Sequence, residues 1–142
     1  MPKRKANALW TGNLTDGNGT VALQSGAFEG AYSFSSRFEE GTGTNPEELV
    51  AAAHAGCFSM ALSAELGKNG YDPKSVETQA VVHLEKSDTG FGIPKIDLIC
   101  NAVVPGIDEP TFMTFAEGAK KNCPISKLLT GAEITLQATL SN

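Results

Sequence analysis

Apolar residues recur at every second position in three long segments, 75–86, 95–104 and 132–141. Successive side chains of a β-strand point to opposite faces, so this alternation predicts three strands that are each buried on one face. Two shorter strands are predicted in 6–25, joined by a turn at Asp16–Gly19, where glycine and asparagine tolerate a positive φ. We predict a further strand over 30–36, followed by a polar, glycine-rich loop that carries Arg37.

The segment between this loop and Gly67 has a different pattern, in which apolar side chains leave almost no polar face. Asn45 is a favourable N-cap, Pro46 suits the first helical position, and Glu47 and Glu48 suit the positive end of a helix. The pattern therefore predicts a helix that is buried on nearly all sides. In a chain of this size, either a sheet wraps the helix or a second subunit covers it.

A second helix is predicted from Glu109 to about Lys121, and Asn122-Cys123-Pro124 separates it from a short helix in "PISKLL". The elements together predict an α+β fold, in which antiparallel sheets wrap around one long, central apolar helix. The chain has 142 residues, a length that suits one domain, so we expect residues 1–142 to form a single domain.

Composition and charge exclude several classes of function. Hydrophobic residues make up 41% of the chain, and the net charge is −5. No basic stripe with interleaved aromatic residues is present, so a nucleic-acid partner is not expected. No uninterrupted apolar run approaches the roughly 18 residues of a membrane span, and the N-terminus "MPKRKANALW" lacks the apolar core of a secretory signal. We expect a soluble, cytoplasmic protein with no membrane partner.

The chain has three cysteines, Cys57, Cys100 and Cys123, which form no CxxC pair and lack the paired spacing of a zinc site. A metal site is therefore not expected. Cys100 is in phase with the apolar face of its strand, which indicates a core residue. Cys123 precedes Pro124 and is the natural N-cap of the short helix, where backbone N–H groups lower a thiol pKa. Whether Cys123 is reactive or merely sits at a helix junction is left open by this local pattern.

Cys57 lies inside the apolar helix, where burial alone would raise its pKa and make it inert. His54 is one turn away on the same face. Glu47 is ten residues away, which is about 15 Å along a helix at 1.5 Å per residue, so it does not touch Cys57 within that helix. Arg37, one of two arginines, has a planar guanidinium that suits both a carboxylate and a thiolate, although the local sequence favours a solvated loop residue.

The motifs "NPEELVAAAHAGCFSMALS" and "NCPISKLL", whose cysteines are 66 residues apart, resemble the OsmC/Ohr family of thiol-dependent hydroperoxide reductases. The arginine just upstream of "NPEEL" resembles the OsmC branch. The resemblance implies an OsmC-like domain over residues 1–142 that forms an intertwined homodimer. It also implies that Cys57 is the peroxidatic cysteine, that Cys123 is the resolving cysteine, and that Arg37 and Glu47 activate the thiol.

The implied reaction reduces organic hydroperoxides to alcohols through a Cys57 sulfenic acid and a Cys57–Cys123 disulfide. An external dithiol, of the dihydrolipoyl type or a small thiol, would regenerate the enzyme, so no bound cofactor is expected. The apolar helix and Phe58 suggest a preference for organic hydroperoxides over hydrogen peroxide. Two other interpretations remain: a dimeric module that binds an apolar ligand, and a disulfide oxidoreductase that acts on proteins. The absence of CxxC weighs against the second.

Overall fold

The computed structural model describes all residues, Met1–Asn142, which divide into two compact units, Met1–Leu49 and Val50–Asn142. The first unit contains an antiparallel sheet of three strands in the order β1-β2-β3. Its elements are β1 (Ala6–Thr11), β2 (Asn18–Leu23), β3 (Glu29–Tyr32) and the short helix α1 (Phe34–Phe38). The two predicted strands in residues 6–25 are confirmed.

Gly19 in β2 allows two aromatic rings of the neighbouring strands to meet over the sheet. The ring centroids of Trp10 and Tyr32 are 5.3 Å apart. A Cβ atom at position 19 would lie 2.6 Å from a ring atom of Tyr32 and 2.7 Å from one of Trp10. Only glycine therefore fits between these rings without moving them.

The strand predicted over 30–36 is wrong in its second half, because β3 ends at Tyr32 and α1 follows at once. Ser33 caps this helix: its hydroxyl accepts from the N–H of Ser36, and the Ser36 hydroxyl accepts from the N–H of Ser33. This reciprocal pair is a capping box, which starts a helix where apolar alternation alone predicts a strand. Arg37 consequently lies in the last turn of α1 and not in a loop.

The long apolar helix α2 (Pro46–Lys68) begins and ends as predicted. The side chain of Asn45 accepts a hydrogen bond from the N–H of Glu48 at 2.7 Å, which confirms it as the N-cap. In the second unit, Phe58, Leu62 and Leu66 are fully buried along one side of α2.

By length and composition α2 could cross a membrane, which corrects the expectation that no segment approaches such a span. It has 23 residues, its most apolar window has a mean hydropathy of 1.4, and 22% of that window is buried. Core helices of soluble proteins pass the same test, so the result is weak evidence of a membrane span.

The second unit contains β4 (Ser75–Ser87), β5 (Gly90–Val103) and β6 (Glu133–Ser141), in the order β4-β5-β6. β5 pairs with β4 in antiparallel orientation and with β6 in parallel, so the expectation of antiparallel sheets is wrong for this last pair. Parallel neighbours require a long crossover connection, and α3 (Glu109–Asn122) and α4 (Pro124–Leu128) supply it.

The core of the second unit forms where α2 and α3 pack on the central strand β5. Leu98, Cys100 and Ala102 of β5 alternate into this core, as their spacing predicts. Its members from the two helices and from the connection between β5 and α3 are Phe58, Leu62, Leu66, Val104, Ile107, Phe112, Ala116 and Ala119. Because Phe58 is fully buried among them, its ring does not face a substrate, and that part of the sequence interpretation is wrong.

Candidate active site

The sulfurs of Cys57 and Cys123 are 2.7 Å apart, although 66 residues separate them in sequence. Cys57 projects from the middle of α2, and Cys123 lies at the junction of α3 and α4. Both are free thiols; Cys57 is partly exposed, whereas Cys123 is fully buried. A small molecule in solvent therefore reaches Cys57 first, and a disulfide between the two needs little movement of the backbone.

The junction that carries Cys123 is built by Pro124. The N–H of Cys123 still donates to the carbonyl of Ala119 at 2.9 Å, as the last bond of α3. Proline has no N–H and suits the first position of a helix, so α4 starts immediately afterwards. Cys123 is the N-cap of α4, as predicted, but its side chain makes no capping hydrogen bond.

A backbone N–H of α4, that of Ile125, instead donates a hydrogen bond to the Cys57 sulfur. The first turn of a helix has N–H groups without partners in the helix, and such a group favours a thiolate. The start of α4 thus brings two groups to Cys57: the thiol of Cys123 and the N–H of Ile125.

These groups alone do not make Cys57 acidic. Burial raises the pKa of the Cys57 thiol above its ordinary value, and the neighbouring Cys123 thiol raises it further, whereas the N–H of Ile125 lowers it. Within the second unit the balance favours the uncharged thiol. None of the groups that shift the pKa of Cys57 is a cation, and a nearby positive charge would favour the thiolate.

Arg37 and Glu47 form an ion pair in the first unit. Nη2 of Arg37 donates to Oε1 of Glu47 at 2.7 Å, and Nε donates to both carboxylate oxygens at 3.1 and 3.2 Å. The Glu47 side chain is 10% exposed and that of Arg37 is 37% exposed. This fork-like geometry fixes the orientation of the guanidinium plane, and Nη1 of Arg37 makes no hydrogen bond to Glu47.

Arg37 also borders a cavity of about 410 Å³ in the first unit. Four aromatic residues contribute to its walls, and its lining consists of Trp10, Gly12, Leu14, Tyr32, Ser33, Phe34, Arg37 and Phe38. The guanidinium of Arg37 lies 5.3 Å from the centroid of the Phe38 ring. The cavity therefore combines apolar walls with one cation held by Glu47.

A buried hydrogen bond that the sequence did not predict joins the two elements that carry the cysteines. Nε2 of His54 in α2 and Oγ of Ser126 in α4 are 2.7 Å apart, and both residues are buried. His54 precedes Cys57 by three residues, and Ser126 follows Cys123 by three. That matched spacing was the available signal, but only the folded chain shows that the two segments meet.

The remaining candidate groups do not form a metal site, because no cluster of three or more His, Cys, Asp or Glu side chains could hold an ion. Cys100 is fully buried in the core, as its position in the strand predicts.

Comparison with known proteins identifies the family of the chain. The family model described as OsmC-like protein matches residues 39–138. The chain is 49% identical over 140 residues to the peroxiredoxin OsmC of Escherichia coli K12, covering 98% of this chain and 97% of that one. It is 35% identical to the organic hydroperoxide resistance protein of Xanthomonas axonopodis pv. citri, over 68% of this chain and 67% of the relative.

Solved structures give the same result for the fold. The crystal structure of the organic hydroperoxide resistance protein OhrB of Bacillus subtilis superimposes with a TM-score of 0.75 at 25% identity, covering 95% of this chain and 98% of that one. The chain thus shares its fold with this protein, and the family model and the relatives show that it belongs to the OsmC family.

Proposed function

We propose that this protein is a peroxidase that reduces organic hydroperoxides, with Cys57 as the peroxidatic and Cys123 as the resolving cysteine. The observation that carries the proposal is the separation of 2.7 Å between the two sulfurs, one of which is partly exposed and the other buried. The names of the relatives, a peroxiredoxin and an organic hydroperoxide resistance protein, support the same activity.

The reaction proceeds in three balanced steps. The Cys57 thiolate attacks the terminal oxygen of the hydroperoxide; the O–O bond breaks, Cys57 becomes a sulfenic acid, and the alkoxide takes a proton to leave as an alcohol. The Cys123 sulfur then attacks the Cys57 sulfur, which releases the hydroxyl as water and forms the disulfide. An external dithiol reduces this disulfide by exchange and is itself oxidised to a disulfide.

Arg37 and Glu47 complete the site in this proposal. The raised pKa of Cys57 means that the thiol needs a cation before it can react at neutral pH. Arg37 is one of only two arginines, and Glu47 holds its guanidinium through Nε and Nη2. Arg37, from the same or the partner subunit, stabilises the Cys57 thiolate and the negative charge that develops on the peroxide oxygens.

The preference for organic substrates rests on the cavity that Arg37 borders, since aromatic side chains in its walls favour an alkyl or aryl group. No bound cofactor takes part, because the thiols supply both electrons and an external dithiol restores them. Equal or faster turnover of hydrogen peroxide than of cumene hydroperoxide would contradict the preference.

We further propose that residues 1–142 act as a single OsmC-like domain, in the cytoplasm, as an intertwined homodimer. The support is α2, whose most apolar window is only 22% buried in one chain, although a helix apolar on nearly all sides requires cover on nearly all sides. A second copy of the chain supplies that cover.

A peroxide-consumption assay tests the proposal. The protein is mixed with cumene hydroperoxide and dithiothreitol, and peroxide loss is followed for the native protein and for Cys57→Ser, Cys123→Ser and Cys100→Ser. We expect Cys57→Ser to be inactive and Cys100→Ser, the matched control, to be active. Cys123→Ser should accumulate a sulfenic acid that a dimedone probe labels. Equal rates in the native protein and Cys57→Ser would leave only a ligand-binding module.

A further inference from the structure

We propose that the buried hydrogen bond between His54 and Ser126 is a positioning clamp, which holds α4 against α2 and so keeps the thiol of Cys123 on the sulfur of Cys57. The inference rests on the proposed function, since it assigns the clamp to the resolving step of that reaction. His54 and Ser126 are positioning residues, because neither contacts the reacting sulfurs in the hydrogen bonds described above.

The location of the bond is the first argument. Three residues of α2 separate His54 from Cys57, which is slightly less than one helical turn, about 4.5 Å along the axis. Three residues also separate Cys123 from Ser126. The clamp therefore lies beside the pair of sulfurs and joins the same two helices, α2 and α4. The distance from Nε2 of His54 to Oγ of Ser126 is 2.7 Å, as is the distance between the two sulfurs. A bond in this position restrains the sulfurs through the two elements that carry them.

The shortness of α4 is the second argument. This helix contains only five residues, Pro124–Leu128, and the side chain of its N-cap, Cys123, makes no capping hydrogen bond to the helix. An isolated helix of one turn is not stable in water, so α4 depends on contacts with its neighbours. Apart from the contacts that Cys57 makes with Cys123 and with the N–H of Ile125, the hydrogen bond between His54 and Ser126 ties α4 to α2. Without it, the start of α4, with Cys123 and the N–H of Ile125, is free to shift relative to Cys57.

The chemistry of the imidazole is the third argument. His54 is fully buried, and burial lowers its pKa, so the ring is uncharged at neutral pH. Its Nδ1 atom is buried and has no hydrogen-bond partner. A buried N–H without a partner is rarer in proteins than a buried lone pair without one, so the proton belongs on Nε2. Nε2 then donates to the Ser126 hydroxyl. A half-satisfied, buried imidazole is costly, and a role in holding α4 explains why one is present here.

The test measures the attack of Cys123 on Cys57 without any peroxide. The aromatic disulfide dithiobis-nitrobenzoate reacts first with the partly exposed Cys57, forming a mixed disulfide and releasing one coloured thiolate. Cys123 then attacks the Cys57 sulfur, forms the internal disulfide and releases a second coloured thiolate. Stopped-flow absorbance separates the two phases, and the second phase, which disappears in Cys123→Ser, reports the resolving step.

Three variants are compared in this assay. Ser126→Ala breaks the clamp but leaves both ring nitrogens of His54 unpaired, which destabilises the fold. His54→Leu/Ser126→Ala removes both partners, and replacing both with apolar groups is nearly neutral for stability. Ser59→Ala is the matched control, because Ser59 also projects from α2 and its hydroxyl lies 2.7 Å from that of Thr78, a bond that ties α2 to β4 instead of α4.

We expect the second phase to slow by roughly three- to tenfold in Ser126→Ala and in the double variant, as the loss of one buried hydrogen bond implies. Ser59→Ala should stay within about twofold of the native rate. A native rate in the folded double variant would overturn the proposal, as would equal slowing by Ser59→Ala. Failure of the proposed function is a separate result: the native protein would show both phases but would not consume hydroperoxide.

Discussion

The pair formed by Arg37 and Glu47 gives the sharpest test of how the thiol is activated. The perturbation is Glu47→Gln, which keeps the size of the side chain and one accepting oxygen but removes the negative charge. The matched control is Glu48→Gln, which removes the same charge from the same helical turn. Glu48 is exposed, and its carboxylate accepts from the Thr44 hydroxyl at 2.8 Å, a bond that glutamine can also accept.

The expected loss of stability follows from the exposure of the two side chains. Breaking a fully buried ion pair costs about 3–5 kcal/mol, and an exposed pair contributes about 0–1 kcal/mol. Glu47 is 10% exposed and Arg37 is 37% exposed, so the pair lies between these limits. Glutamine retains one acceptor, so part of the interaction with Arg37 survives in Glu47→Gln. Both variants lose the same interaction of a negative charge with the helix dipole. We therefore expect Glu47→Gln to lower the free energy of unfolding by about 1–2 kcal/mol more than Glu48→Gln does.

Glu47→Gln should lower the peroxide rate by more than partial unfolding of the variant would. Removing a group that directly stabilises developing charge costs about 100-fold in rate or more. In the proposed mechanism Glu47 acts through Arg37, so a smaller effect of about tenfold on the peroxide step is expected, together with a higher pKa of the Cys57 thiol.

Two assays check this prediction. Urea unfolding gives the difference in stability, and a slope of about 1–3 kcal/mol per molar urea converts it to a midpoint shift of roughly 0.3–2 M. The rate of Cys57 alkylation as a function of pH gives the thiol pKa. If Glu47→Gln matched Glu48→Gln in stability, thiol pKa and peroxide rate, the assignment of Arg37 and Glu47 to the site would be refuted.

Three further variants test other parts of the structure. Gly19→Ala should destabilise the first sheet by about 1–3 kcal/mol, because the new Cβ meets two aromatic rings, and urea unfolding monitored by tryptophan fluorescence measures it; unchanged stability would contradict the packing. The hydrogen bond from Thr135, followed by that from His83, lowers the pKa of Asp97 from 3.8 to about 2, so its contribution to stability is full above pH 3.8 and is lost as the pH falls towards 2. Asp97→Asn should therefore lower the urea midpoint more at pH 7 than at pH 2, and an equal loss at both pH values would contradict this reasoning. Cys100→Ala should lose stability by about 1 kcal/mol but keep the native peroxide rate, and a slower rate would give this buried cysteine a role that the structure does not suggest.

Local signals in the sequence predicted most of the elements. Asn45, Pro46 and Glu47 predicted where α2 starts, because capping and helix-end electrostatics depend only on neighbouring residues. Alternating apolar residues predicted the long strands for the same reason. α1 was missed because a capping box between two serines is short, and because apolar and polar residues also alternate in that segment.

These local signals did not predict contacts between residues that are distant in the sequence. The parallel pairing of β5 with β6 depends on how α3 and α4 cross the sheet, and alternation is the same in parallel and antiparallel strands. Phe58 is buried because it lies on the side of α2 that packs on the sheet. The sequence did not predict which side that is, because α2 is apolar on nearly all sides.

For the proposed site, the sequence indicated the candidate reacting groups, and the tertiary structure decided how two of them meet. The motifs around Cys57 and Cys123 identified both cysteines and indicated the family to which the chain belongs. Only the packing of α4 on α2 brought their sulfurs to 2.7 Å and joined His54 to Ser126. The physical reason is that a contact across 66 residues is set by the burial of whole helices and strands, which no local pattern of capping or alternation records.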